Sequence, residues 1–157
     1  MIITRQDPFS FRLQTGDTLV NFNQSSSTLE LKVGPKRLSI ETPGEYEMEG
    51  IAIESAPSYP FYIIHWDDMI IGLGGPIANM TYDILLLLVA QPRSGGAKAL
   101  ADTDARVLIP FGEEKMVASF LKELDENPEE MEKLTIKKKE VPAEGDRKIV
   151  ALKPLKK

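Results

Sequence analysis

Asp83-Ile84-Leu85-Leu86-Leu87-Leu88-Val89 is the stretch that decides the fold. Its apolar residues follow one another without alternation, so both faces of the segment must be covered, as in a strand inside a layered structure. The apolar run ends at Ala90, far too short to span a bilayer. Downstream, the polar loop Gln91–Gly96 leads to a short helix candidate at Ala97–Asp102, and Arg106–Pro110 reads as a second buried strand. The strongest helix is Glu113–Leu124. Its Met116, Val117, Phe120, Leu121 and Leu124 share one stripe, and Glu113 and Glu114 sit at the positive end of its dipole. Asn127-Pro128-Glu129-Glu130 has the form of an N-cap followed by proline and starts a further turn of helix. Leu134–Lys138 and Lys148–Leu152 read as a closing hairpin around the Pro142–Asp146 turn.

Upstream of the central run the period changes to two. Phe9–Gln14 alternates apolar and polar residues, Thr15-Gly16-Asp17 turns, and Thr18–Phe22 returns. Thr28–Val33 alternates again, Gly34-Pro35 breaks it, and Arg37–Glu41 forms another short strand. Pro43-Gly44 opens one long segment, Glu45–Ser55, with Gly50 as a bulge or close-approach point. Phe61–Trp66 and Met69–Leu73 bracket a two-acid turn, Asp67-Asp68. The pattern predicts an α+β, β-rich layered sandwich in a single domain, 1–157. Residues 1–75 are mainly antiparallel strands, and residues 76–157 run strand-helix-strand-helix to a final hairpin.

Composition excludes several kinds of chemistry. The 157 residues hold one histidine and no cysteine, so the chain offers neither a thiolate nor a histidine cluster for a catalytic zinc. A disulfide framework is excluded for the same reason. The opening residues Met1–Gln6 lack a signal pattern, which with the short apolar runs predicts a cytoplasmic protein with no membrane segment. Net charge is −5 and unevenly spread. From Glu132 onward nine Lys/Arg face four acids, whereas the first 131 residues carry ten basic and twenty acidic ones. The basic C-terminal region invites a nucleic-acid reading. Without aromatics for base stacking, lysines that protect edge strands account for it more simply.

Four stretches in chain order resemble the metallo-β-lactamase-fold hydrolases, in the branch that includes the ascorbate-6-phosphate lactonase-like proteins. They are MIITRQDPFSFRLQTGD (1–17), PGEYEMEGIAI (43–53), DILLLLV (83–89), and VLIP (107–110) followed by a helix. LTIKKKEVPAEGDRKIVALK (134–153) is similar to the last hairpin of such proteins. The resemblance implies an αββα fold, here truncated, and a metal-dependent hydrolase ancestry. It also shows where this chain departs. The family carries Gly-His where Asp7-Pro8 stands, and its histidine-rich ligand loop would fall within Gln24–Arg37, which holds no histidine or aspartate. Gly74-Gly75 replaces the family's Gly-Asp, and Ile109-Pro110 is followed by Phe111 and Gly112 rather than by a histidine. On this reading the chain has no catalytic residues, no metal ligands and no cofactor.

Three local features remain. His65 lies beside Asp67 and Asp68, as a general base or weak ligand would, although a strand-end histidine next to a turn has the same appearance. Gly72-Leu73-Gly74-Gly75-Pro76 follows a strand but lacks the Lys-Ser/Thr of a phosphate loop. Arg93, Ser94, Gly95, Gly96 and Lys98 form a candidate anion site at a helix start, or an ordinary strand-to-helix connection. The expected function is a non-catalytic structural or interaction domain that self-associates, most simply as a homodimer through apolar surface uncovered with the ligand loop, or that binds an unidentified protein partner. The alternatives are a hydrolase that is metal-free or completed by a partner chain, and nucleic-acid binding through the C-terminal region.

Overall fold

The computed structural model describes residues 1–55, 61–74, 80–89 and 103–155. The alternating segments of the first half pair into a six-stranded antiparallel sheet. Its strands are β1 (Ile2–Asp7), β2 (Ser10–Thr15), β3 (Thr18–Asn23), β4 (Thr28–Val33) and β5 (Lys36–Ile40), with β13 (Lys133–Thr135) beside β1 at the far edge. Phe11, Leu13, Val20, Phe22, Leu29 and Leu31 all point inward and are at most 1% exposed, whereas Arg12 and Gln14 between them face solvent. Strand β1 was not evident in the sequence, because Arg5 interrupts its apolar positions.

The second sheet is mixed and has seven strands. β6 (Gly44–Met48), β7 (Ile51–Ser55), β8 (Tyr62–Trp66) and β9 (Met69–Gly74) pair antiparallel in chain order, and β10 (Thr81–Val89), β11 (Asp104–Gly112) and β14 (Lys148–Ile149) then add in parallel. The central run is covered on both faces, as its lack of alternation requires. Ile84 and Leu86 pack into the core between the sheets, and Leu85 and Leu87 pack beneath the helix α1 (Glu114–Glu123) with Phe120 and Leu108. Met116, Val117 and Leu124 of the helix stripe join that second cluster. Each fully buried side chain of this size contributes roughly 1.5–3 kcal/mol.

Several expectations are corrected. Glu45–Ser55 is a hairpin rather than one segment. Glu49 (φ 52°) and Gly50 (φ 82°) form its two-residue turn, both in the left-handed region that such hairpins need. Asn127–Glu130 does not begin a helix, because Glu130–Met131 forms a short strand, β12, paired in parallel with β15 (Ala151–Leu152). The closing segments do not pair with each other. β13 joins β1 in the first sheet, β14 joins β11 in the second, and a 3-10 turn at Lys138–Glu140 lies between them. Among the described residues the layers are sheet, sheet and helix, without a helix outside the first sheet. That outer face is polar, with Arg12, Asn21, Glu30 and Ser39 in one register row. The uncovered apolar surface expected there is absent among the described residues, whose only large exposed apolar side chains are Ile2 and Leu155. No helix among them is long and apolar enough to cross a membrane.

Candidate functional site

In open α/β sheets, ligands bind beyond the carboxyl ends of parallel strands. Here β9, β10 and β11 end together, with Leu87 in register with Gly74 and Val89 with Gly112. The end of β1 reaches this edge from the opposite sheet, since Arg5 Nη2 donates to both Pro8 O (3.0 Å) and Gly112 O (3.1 Å). The turn after β3 arrives as well. Tyr62, at the start of β8, donates its phenol proton to Ser27 O at 3.0 Å. Burial pushes the Tyr62 phenol above its ordinary pKa, and nearby Tyr46 adds to the shift.

Aromatic rings close the space between the sheets here. Phe111, which follows the Ile109-Pro110 pair, is 0% exposed. It meets Phe11 edge to face with centroids 5.0 Å apart and Phe22 at 6.1 Å, and Phe22 in turn meets Tyr62 at 5.8 Å. Such contacts contribute about 0.5–1.5 kcal/mol each beyond the area they bury.

Beside the rings lies a buried cation. Arg5 occupies an inward position of β1, in parity with Ile3, and is 8% exposed. Besides Pro8 and Gly112 it donates through Nη1 to Leu152 O at 3.0 Å, so one guanidinium joins the loop after β1, the end of β11 and strand β15. Desolvation lowers its pKa, while Asp7 and Glu130 act in the opposite sense. Its Nε has no acceptor. A planar fork with five donors suits several carbonyls at once, which an ammonium could not match.

These residues do not fit a divalent metal. The described side chains that close the edge are phenyl rings, a phenol and a guanidinium, and no group of three His, Asp or Glu residues gathers anywhere among the described residues.

The residues singled out from the sequence lie elsewhere. His65 is exposed near the end of β8, paired with Ala52 and Ile70, at the end of the sheet away from this edge. Asp67 (φ 54°) and Asp68 (φ 59°) are both exposed and form the adjoining two-residue turn, which accounts for their presence. Gly72 and Gly74 belong to β9, while Gly75 and Pro76 lie outside the described residues. The candidate anion residues Arg93, Ser94, Gly95, Gly96 and Lys98 also lie outside them, as does the helix candidate at 97–102.

Arg5 and Phe111 were missed as site residues, and so was Asp83. Asp83 is 6% exposed at the head of β10, accepts the Ile70 N–H at 2.7 Å and pairs with Lys138 Nζ at 2.8 Å. It marks a change of face, because Tyr82 packs on the helix side whereas Ile84 packs between the sheets. A charge at an inward position of an apolar strand was the available signal for both Arg5 and Asp83.

No family model matches the chain, and no curated protein sequence matches it. A solved structure does match. The crystal structure of a candidate Zn-dependent hydrolase of the metallo-β-lactamase superfamily from Thermotoga maritima superposes with a TM-score of 0.59 at 16% identity. The match covers 97% of this chain and 98% of that one, so the truncation expected from the sequence has no counterpart relative to this neighbour. At such identity the likeness speaks to fold alone: the chain has a metallo-β-lactamase-like fold.

Proposed function

We propose that this chain is a non-catalytic member of the metallo-β-lactamase superfamily, with the PGEYE stretch placing it near the lactonase-like branch, and that it has given up its metal site for packing. The observation that carries this reading is Phe111. With Gly112 it makes up the stretch after Ile109-Pro110 in which the resemblance expects a ligand histidine, and it is fully buried against Phe11 and Phe22. A ring in that position repels a metal's hydration shell and offers no lone pair. Arg5 supports the same reading, since a fixed cation among three carbonyls leaves no place for a second positive charge. The domain would then act by binding or by assembly.

The test is elemental analysis of protein purified from cells, combined with assays for phosphodiesterase, lactonase and esterase turnover. The expected result is zinc far below one atom per chain and no turnover. Stoichiometric zinc with hydrolysis would overturn the proposal. Self-association as a two-fold dimer belongs to the same proposal, although the described surface offers no apolar face for it. A monomer by light scattering at micromolar concentration would remove it.

A further inference from the structure

We infer that the self-association proposed above, on which this inference rests, runs through strand edges: β5 of one protomer pairs antiparallel with β6 of its partner, and β6 with the partner's β5. Among the described residues β5 ends the first sheet and β6 ends the second, so each leaves a row of backbone groups without a neighbouring strand. In a two-residue hairpin the pair next to the turn exchanges both hydrogen bonds, and pairs alternate from there. Counting from Val33 opposite Lys36, and from Met48 opposite Ile51, the N–H and C=O groups of Arg37, Ser39, Glu45 and Glu47 point past the sheet edges. The two edges lie one over the other. Lys36 at the head of β5 forms an ion pair with Glu49, just after β6, and Tyr46 donates its phenol proton to Thr42 O at 2.8 Å. β5 and β6 therefore run in opposite directions along one side of the sandwich.

Charge selects the pairing. Lys32 stands directly opposite Arg37, and Glu45 directly opposite Glu54, with Glu47 two residues further along β6. Like charges directly across a ladder destabilise it, and none of these five residues joins an ion pair among the described residues. One edge thus carries a surplus of positive charge and the other a surplus of negative charge. A two-fold axis parallel to the strands sets β5 beside the partner's β6, antiparallel, in both layers at once. In that register Arg37 stands opposite the partner's Glu47 and Ser39 opposite the partner's Glu45, and the outward backbone groups of all four are bonded. Leu38 and the partner's Tyr46, each partly buried against its own core, meet on the inner face. An axis perpendicular to the sheets would instead lay β6 on the partner's β6, where both outer-face positions are glutamates. Opposite charge on the two edges therefore favours one pairing and penalises the other.

The experiment is analytical ultracentrifugation of the full chain and of two charge reversals at exposed positions, Arg37→Glu and Glu47→Arg. The parent is expected to be dimeric at micromolar concentration. Each reversal alone should raise the dimer dissociation constant by about tenfold or more, because it sets like charges against each other at both contacts. An equimolar mixture of the two variants should recover dimers, since each contact then joins one Glu to one Arg. Retained circular dichroism checks that both variants fold. A monomeric parent would overturn the interface and self-association together, without touching the reading of the metal site. A dimeric parent whose variants dimerise equally well, or a mixture that stays monomeric, would overturn the interface alone.

Discussion

The rings of Phe11 and Phe111 meet edge to face, 5.0 Å between centroids and 75° between planes, and join the first sheet to the second where the parallel strands end. Phe22 adds a second edge-to-face contact to Phe111, so one side chain from β11 holds two strands of the opposite sheet.

Removing that ring should be expensive. Phe111→Ala is expected to cost about 3–5 kcal/mol, because a buried cavity replaces it. Phe111→His should also destabilise, since the imidazole would be buried without partners, and it should gain no zinc. The chain's other imidazole, His65, lies at the far end of β8. Urea denaturation and metal analysis of the purified variants check both outcomes.

Arg5 should resist substitution by anything but itself. Arg5→Met leaves the Pro8, Gly112 and Leu152 carbonyls without their donors and should cost about 2–4 kcal/mol, with each charge-assisted bond worth about 1.5–3 kcal/mol and partial relaxation expected. Arg5→Lys should recover only part, since an ammonium lacks the planar fork. Equal unfolding midpoints for Arg5→Met and the parent would sink this account of the edge.

Tyr62 predicts a pH dependence. Its pKa is raised in the fold above the ordinary value of 10.0, so the folded state holds the phenol proton more tightly than the unfolded chain. That stabilisation is fully present below pH 10.0 and is lost as pH rises through the folded pKa. Tyr62→Phe should therefore flatten the alkaline fall in stability, while costing about 1 kcal/mol at neutral pH for the lost bond to Ser27 O. Urea midpoints measured across the alkaline range distinguish the two slopes.

Gly112 combines two constraints. Its φ is +132°, and a Cβ would stand 2.9 Å from Val89 O, a main-chain atom that cannot swing aside. Gly50 also has positive φ, at +82°, but a Cβ there would meet nothing within 4 Å. Gly112→Ala should thus cost about 2–4 kcal/mol and Gly50→Ala about 1 kcal/mol. At this chain length the difference corresponds to roughly 2–4 °C in melting temperature per kcal/mol, which calorimetry resolves.

Period and turn chemistry made most strands legible. Thr28–Val33 alternates and is β4 without adjustment, and the unbroken Ile84–Val89 run is a strand covered on both faces. Local rules failed where partners are distant in the chain. Lys148–Leu152 looked like half of a hairpin, yet its residues pair with β11 and β12 because those strands present unmatched backbone groups. The same limit applies to the candidate site. The absence of a histidine after Ile109-Pro110 was visible, but nothing local says that the Phe111 ring would meet Phe11, a hundred positions earlier.

What the sequence determined by itself was an exclusion and a layer pattern. One histidine and no cysteine rule out a histidine-rich zinc centre, and alternating strands before a doubly buried run require stacked sheets with a helix on one face. Only the tertiary structure decided what fills the edge: Arg5 on three distant carbonyls, and Phe111 between Phe11 and Phe22. The physical reason is that composition and period depend on neighbours in the chain. Whether a buried cation or ring is satisfied depends on groups that meet it only when two sheets close on each other.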